Sequence, residues 1–358
     1  MTHSIRTYFS AWGALLLAVP MAWAQAPAAQ AEAPAALDRP ALMSPKSAGK
    51  AMLAVVQAGK RLVAAGERGI VQYSDDAGAH WQQAATPTSV TLVALRFVDD
   101  QRGWAVGHMG VVLHTQDAGQ TWSKQLDGLQ AARLVLEAAQ KSGNEKAMAR
   151  AERLLADGAD KPWFDLYFEN AQSGWVVGAF NQALRTHDGG KTWQPWQDHI
   201  DNPKALHLHA IRKVGSSLLL VGEQGLLLRS DDGGDQFRPL ASPYTGTWFG
   251  LLATREDQVL AYGLRGNAFV SSDAGNHWTK LVTGTQVAIS SATQLLDGRV
   301  LLLSQAGELL TGAADGSHDL VHLSGRPGLP LTDVVQTDTN TVALASLRGV
   351  VMQPLSKP

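Results

Sequence analysis

Ser74-Asp75-Asp76-Ala77-Gly78-Ala79-His80-Trp81 is the first copy of a box that decides the fold. The pattern is a hydroxyl residue, then Asp, then Gly, each two apart, with an aromatic ring three residues beyond the glycine. It returns as Thr115-x-Asp117-x-Gly119-x-Thr121-Trp122, Thr186-x-Asp188-x-Gly190-x-Thr192-Trp193, Ser230-x-Asp232-x-Gly234-x-Gln236-Phe237 and Ser271-x-Asp273-x-Gly275-x-His277-Trp278. Repetition at such a period marks an architecture of stacked units. A second marker, Gly-x-x-Gly or a close variant, precedes each box. Its copies begin at Gly66, Gly107, Gly178, Gly222, Gly263, Ser304 and Ser346, so the steps are 41, 71, 44, 41, 41 and 42 residues. The long step places an insertion, about 126–162, between units two and three. The marker also recovers units six and seven, whose boxes have decayed.

Within a unit, short runs of period two alternate with Gly- and Asp-rich turns, the signature of an antiparallel meander. Unit two reads as strands over Leu92–Val98, Gly103–Val106, Gly110–Thr115 and Trp122–Gln125. One such sheet cannot bury both of its faces, so the expected fold is all-β, a seven-bladed β-propeller of four-stranded antiparallel blades over 37–358. A solenoid is the competing arrangement. Unit seven ends with little chain left for a fourth strand. Asp38–Met43 is therefore expected to complete the last blade and latch the ring.

The insertion carries two runs of strong helix formers, Leu129–Ala139 and Glu145–Leu155, parted by Ser142-Gly143-Asn144. These predict a helical hairpin over the ring.

At the N-terminus, His3 and Arg6 precede an apolar run, Ala11–Val19, and then Ala22-Trp23-Ala24. This is the layout of a cleavable secretory signal over 1–24, cut after Ala24, and the run is shorter than the roughly 20 residues a membrane span needs. Residues 25–36 are Ala/Pro/Gln-rich and read as a flexible tether. The expected product is a monomer, periplasmic or secreted and not transmembrane. The chain has no cysteine, which excludes a lipoprotein anchor, disulfides, cysteine metal sites and thiol nucleophiles. A net charge of −2 carries no nucleic-acid signature.

In the boxes, Asp76, Asp117, Asp188, Asp232 and Asp273 suit turn architecture, because a carboxylate there accepts from turn amides while the glycine takes a positive φ. Spread around a ring, they cannot converge on one substrate. The pairs Asp75-Asp76 and Asp231-Asp232 fall inside boxes, which weighs against a glycosidase reading. No Gly-x-Ser-x-Gly, His-Glu-x-x-His or phosphate-binding loop occurs in the mature chain. His207 and His209 share one strand face, with His199 and Asp201 shortly before, but nothing in the sequence shows the three or four convergent ligands a metal needs, and a solvated blade edge is the plainer reading. No catalytic residue, metal or cofactor is expected.

The boxes, the Gly-x-x-Gly turns and the strands Gly103-Trp104-Ala105-Val106-Gly107 and Gly174-Trp175-Val176-Val177-Gly178 resemble the Asp-box (bacterial neuraminidase repeat) propellers, most closely the photosystem II stability/assembly-factor-like branch. The resemblance covers roughly 50–355. It implies a non-catalytic scaffold for a membrane protein complex or envelope protein, with a basic patch on the partner face. Sialidases share the box, but their Arg-Ile-Pro motif is absent here. The alternative is a glycan-binding or glycoside-hydrolase, sialidase-like propeller.

Successive turns of a meander alternate ends, so the Gly-x-x-Gly tips, the blade-to-blade connections and the insertion share the face opposite the boxes. Loops on a rigid scaffold carry most recognition. The candidate partner-binding residues are the tip residues Arg68, His108, Met109, Phe180, Arg265 and Arg348, with Trp163 and Trp248 assigned to connections.

Overall fold

The computed structural model describes Met1 and residues 34–255, 257–317, 319–323 and 328–355. Residues 2–24 of the expected signal and 25–33 of the expected tether lie outside the described residues. Among the described residues the chain forms seven consecutive antiparallel sheets, six of four strands and a last one of three. Blade one, for example, runs Met52–Ala58, Arg61–Gly66, Val71–Ser74 and Gln82–Gln83. Blade two matches its expected strands to within two residues, at Leu92–Phe97, Gly103–Gly107, Val112–Thr115 and Ser123–Leu126.

The first strands of successive blades touch one another, and that of blade seven, Leu331–Asp338, touches that of blade one, so they ring a common axis. Each interface between neighbouring blades holds its own apolar core. Between blades two and three, for instance, Trp104, Val106, Trp163, Leu166 and Val176 pack together. A single meander buries its faces only through such neighbours.

The latch is corrected. Blade seven ends on Gly349–Pro354 as its outermost strand, and Asp38–Met43 forms no strand. The N-terminal segment runs instead along blades one and two. Ala41 N–H donates to Thr86 O at 3.2 Å, Gln83 Nε2 donates to Leu42 O at 3.0 Å, and Lys124 Nζ lies 2.6 Å from Asp38 Oδ1. Two physical reasons favour this path. Pro40 has no N–H for a ladder, and Leu37 fills a fully buried slot in the core between blades one and two. Leu37 ends a one-turn 3-10 helix, Ala35–Leu37, so the ordered chain reaches into the segment read as tether.

The ring closes through side chains. Asp333 Oδ2 accepts from Val55 N–H at 3.0 Å and its other oxygen from Ser291 Oγ at 2.6 Å, while Thr332 Oγ1 donates to Met52 O at 2.8 Å. Met52, Val55, Leu62, Ile70, Ala343 and Ala345 form the core of this seam. Asp165, at the equivalent place in blade three, accepts from Ile211 N–H at 3.0 Å and from the Arg212 guanidinium of blade four.

The insertion is a helical hairpin, α1 (Gly128–Ser142) and α2 (Glu145–Asp157). Asp127 caps α1 in a reciprocal capping box with Gln130, Gly143 ends it in the left-handed conformation, and Asn144 caps α2. Leu126 still belongs to the blade, so the excursion begins one residue later than the expected bound.

Candidate functional site

The box face is built for stability. In each box the hydroxyl donates to the aspartate and accepts from the glycine N–H, and the aspartate accepts from the N–H four residues on. In the box of blade two these distances are 2.8, 3.0 and 2.9 Å, with Thr121 Oγ1 adding a fourth bond at 2.6 Å. Asp188 repeats the arrangement with Thr186, Gly190 and Thr192. The box glycines sit at φ 84–89°, where a Cβ is strained. Hydrogen bonds from the His80 N–H and ring hold the Asp76 carboxyl at a pKa of about 2, and those of His277 do the same for Asp273. Of the carboxylate pairs, Asp75 is engaged by Arg61 at 2.6 Å and Asp231 by Arg229 at 3.0 Å. Among the described residues no group of three or more His, Asp or Glu is placed to hold a metal.

The opposite face carries the tips. Each of the first five is one 3-10 turn: Glu67–Gly69, His108–Gly110, Ala179–Asn181, Glu223–Gly225 and Leu264–Gly266. The opening glycine of each is extended, and its need is closeness. A Cβ on Gly66 would lie 2.0 Å from Ala51 O, and one on Gly107 2.1 Å from Thr91 O. The residue before the last position is left-handed in all five: Arg68, Met109, Phe180, Gln224 and Arg265, at φ 52–57°. Outside glycine that conformation costs about 1–2 kcal/mol. The box turns contain the same left-handed residue but fill it only with Ala77, Ala118, Gly189, Gly233 and Ala274. Large side chains are thus held against backbone preference on one face and not on the other.

Arg68, His108, Phe180, Arg265 and Arg348 are exposed. Among the described residues none of the three arginines has an ion-pair partner. Arg348 sits on a tighter turn, where Ser346 Oγ donates to Gly349 O at 2.8 Å in place of the 3-10 geometry. Met109 is half-buried against the core at the root of the hairpin, whose Gly128 lies against Gly110. The hairpin therefore rises on the tip face.

Two expected site residues are corrected. Trp163 and Trp248 are the first residues of first strands, paired opposite Gly178 and Gly263, and are 1% and 0% exposed. Their indole N–H groups donate to Gly110 O at 2.8 Å and Ser242 Oγ at 3.3 Å. They are core plates that no partner reaches.

Sequence reasoning missed an aromatic arc on this face made by Phe164, Phe180, His207, His209 and Phe249. It weighed the two histidines as metal ligands or as part of a solvated blade edge. The available signal was register, since Phe164, His209 and Phe249 each follow the first residue of a first strand.

A family model described as photosynthesis system II assembly factor YCF48 matches residues 73–161 and 147–319. A photosystem II assembly lipoprotein, Ycf48, of Synechococcus sp. (strain CC9902) is 25% identical over 150 residues, 40% of this chain and 44% of that protein. The chloroplastic photosystem II stability/assembly factor HCF136 of Oryza sativa subsp. japonica is 25% identical over 129 residues, 35% of this chain and 31% of that protein. The chain thus spans less than half the length of either relative. A solved structure of YCF48 bound to D1 peptide is similar at a TM-score of 0.63 and 15% identity, covering 89% of this chain and 100% of that one. At that identity the likeness is one of fold.

Proposed function

The chain belongs to the photosynthesis system II assembly factor YCF48 family, and on that premise we propose that it is a non-catalytic, periplasmic scaffold whose tip face grips a subunit of a membrane protein complex. The observation that carries this reading is the set of large left-handed tip residues, kept on one face while the same conformation on the other is filled by Ala and Gly. Strain of that kind concentrates where a surface is used. Unpaired Arg68, Arg265 and Arg348 suit carboxylates on the partner. The secretory layout of 1–24 supports the periplasm, and N-terminal sequencing of the mature protein beginning at Gln25 is the check.

The test is a double variant, Arg68→Ala with Arg348→Ala. An interfacial guanidinium on a carboxylate contributes about 1.5–3 kcal/mol, so the captured membrane partner should bind at least about tenfold more weakly in titration. Exposed tips contribute little to packing, and the melting temperature should stay unchanged. Wild-type affinity in this variant would move recognition to the box face or the blade edges.

A further inference from the structure

Phe164, Phe180, His207, His209 and Phe249 come from separate segments of blades three, four and five and form a continuous run of rings. Phe180, at the blade-three tip, is 56% exposed. Its ring stands 4.5 Å from that of His207, and its N–H donates to His207 Nδ1 at 3.3 Å. Phe164 lies 5.8 Å from His207 and 5.2 Å from His209, and His209 lies 5.8 Å from Phe249. His209 Nδ1 sits 2.7 Å from Trp248 O, which fixes its ring. Burial lowers the pKa of His209 below its ordinary value, so that imidazole is neutral at pH 7. The four rings besides Phe180 are half-buried. Where blades three, four and five place Phe164, His209 and Phe249, the others carry Leu53, Val93, Ser290 and Thr332, so the arc occupies one side of the face.

The charges around it are unevenly satisfied. Lys161 Nζ lies 5.6 Å from the Phe180 centroid but is already paired with Asp157 at 3.0 Å and Asp160 at 2.6 Å. Glu223 accepts from His207 N–H at 2.9 Å. Arg265 is the exception. It follows Gly263, which pairs with Trp248 beside Phe249, so an unpaired cation stands at the end of blade five that carries the arc.

We propose that this arc is a docking platform for an extended peptide segment that lays an aromatic side chain on Phe180 and directs a nearby carboxylate to Arg265. The inference rests on the tip face being the recognition face. Aromatic pairs favour the edge-to-face and offset geometries the arc presents, and the free guanidinium supplies the complementary charge. A sugar ring would also stack there, but it needs polar side chains turned to its hydroxyls, and the neighbouring carboxylates Asp157, Asp160 and Glu223 are engaged.

Panning a random dodecapeptide phage library on the full chain tests it. The expected consensus is an aromatic residue with an acidic residue close by. The synthetic consensus peptide should bind Phe180→Ala/Phe249→Ala at least about tenfold more weakly, Arg265→Ala several-fold more weakly, and Phe180→Tyr like the wild type. Should the double variant unfold, Phe180→Ala alone serves, because that side chain is mostly solvated. A consensus without an aromatic residue, or peptides that keep wild-type affinity for the arc variants but lose it with Arg68→Ala/Arg348→Ala, overturns the arc and leaves the tip face standing. Peptides indifferent to both sets overturn both. A glycan-array signal abolished by Phe180→Ala, without a peptide consensus, replaces the peptide by a sugar.

Discussion

A single aspartate in each box accepts from several donors of its turn. Asp188 accepts from the Thr192 N–H and both neighbouring hydroxyls, so Asp188→Ala leaves a turn N–H and two hydroxyls short of a partner. The expected loss is about 1–3 kcal/mol of stability in chemical denaturation, with partner binding unchanged because the box lies on the opposite face. Asp76 and Asp273 add a pH signature. Their folded pKa of about 2 lies below the ordinary 3.8, so their contribution is full above 3.8 and is lost as pH falls toward 2. Thermal melts should show wild-type stability dropping in that window. A variant carrying Asp76→Asn and Asp273→Asn should start lower at pH 7 and drop less; parallel curves would assign the acid sensitivity to other groups. The role of these residues was legible because Asp and Gly recur at fixed spacing. That of Asp165 and Asp333 was not, since each is an isolated carboxylate outside any repeated motif, and only the ring brings a neighbouring blade's N–H to it.

At the level of elements, turn chemistry announced nearly everything with a local cause. Gly-x-x-Gly and box residues punctuate the blades, and Ser142-Gly143-Asn144 divides the hairpin where α1 ends and α2 is capped. What could not be read depends on long-range fit. Asp38–Met43 was expected as a strand only because unit seven leaves little chain for a fourth, yet the deep slot for Leu37 draws the segment along blades one and two, and Trp163 and Trp248 were assigned to connections that end one residue earlier. The N-terminal segment still matters. Leu37→Ala should cost about 2–5 kcal/mol, as for other fully buried leucines, measurable as a lowered denaturation midpoint. A change under about 0.5 kcal/mol would show that the segment merely rests on the surface. Closure makes a separate demand. Asp333→Ala strands the Val55 N–H and should destabilise by about 1–3 kcal/mol, while Asp333→Asn, which keeps an acceptor oxygen, should recover part of that loss.

For the whole molecule, the two faces divide the labour. One is an array of nearly identical hydrogen-bonded turns, and the other varies from blade to blade in arginines, a hairpin and an arc of rings on the same rigid frame. The way the frame shuts also sets an order of events. Six of the seven interfaces join neighbours in sequence, whereas the bond from Val55 to Asp333 spans 278 positions. A chain that emerges from its N-terminus can assemble those six one after another. The flank of blade one, with Met52, Val55, Leu62 and Ile70, must then stay uncovered until blade seven has arrived. That interval is when the nascent ring most needs a chaperone, and the seam is where a finished ring would first come apart, with a lifetime set by one junction rather than by the average of seven.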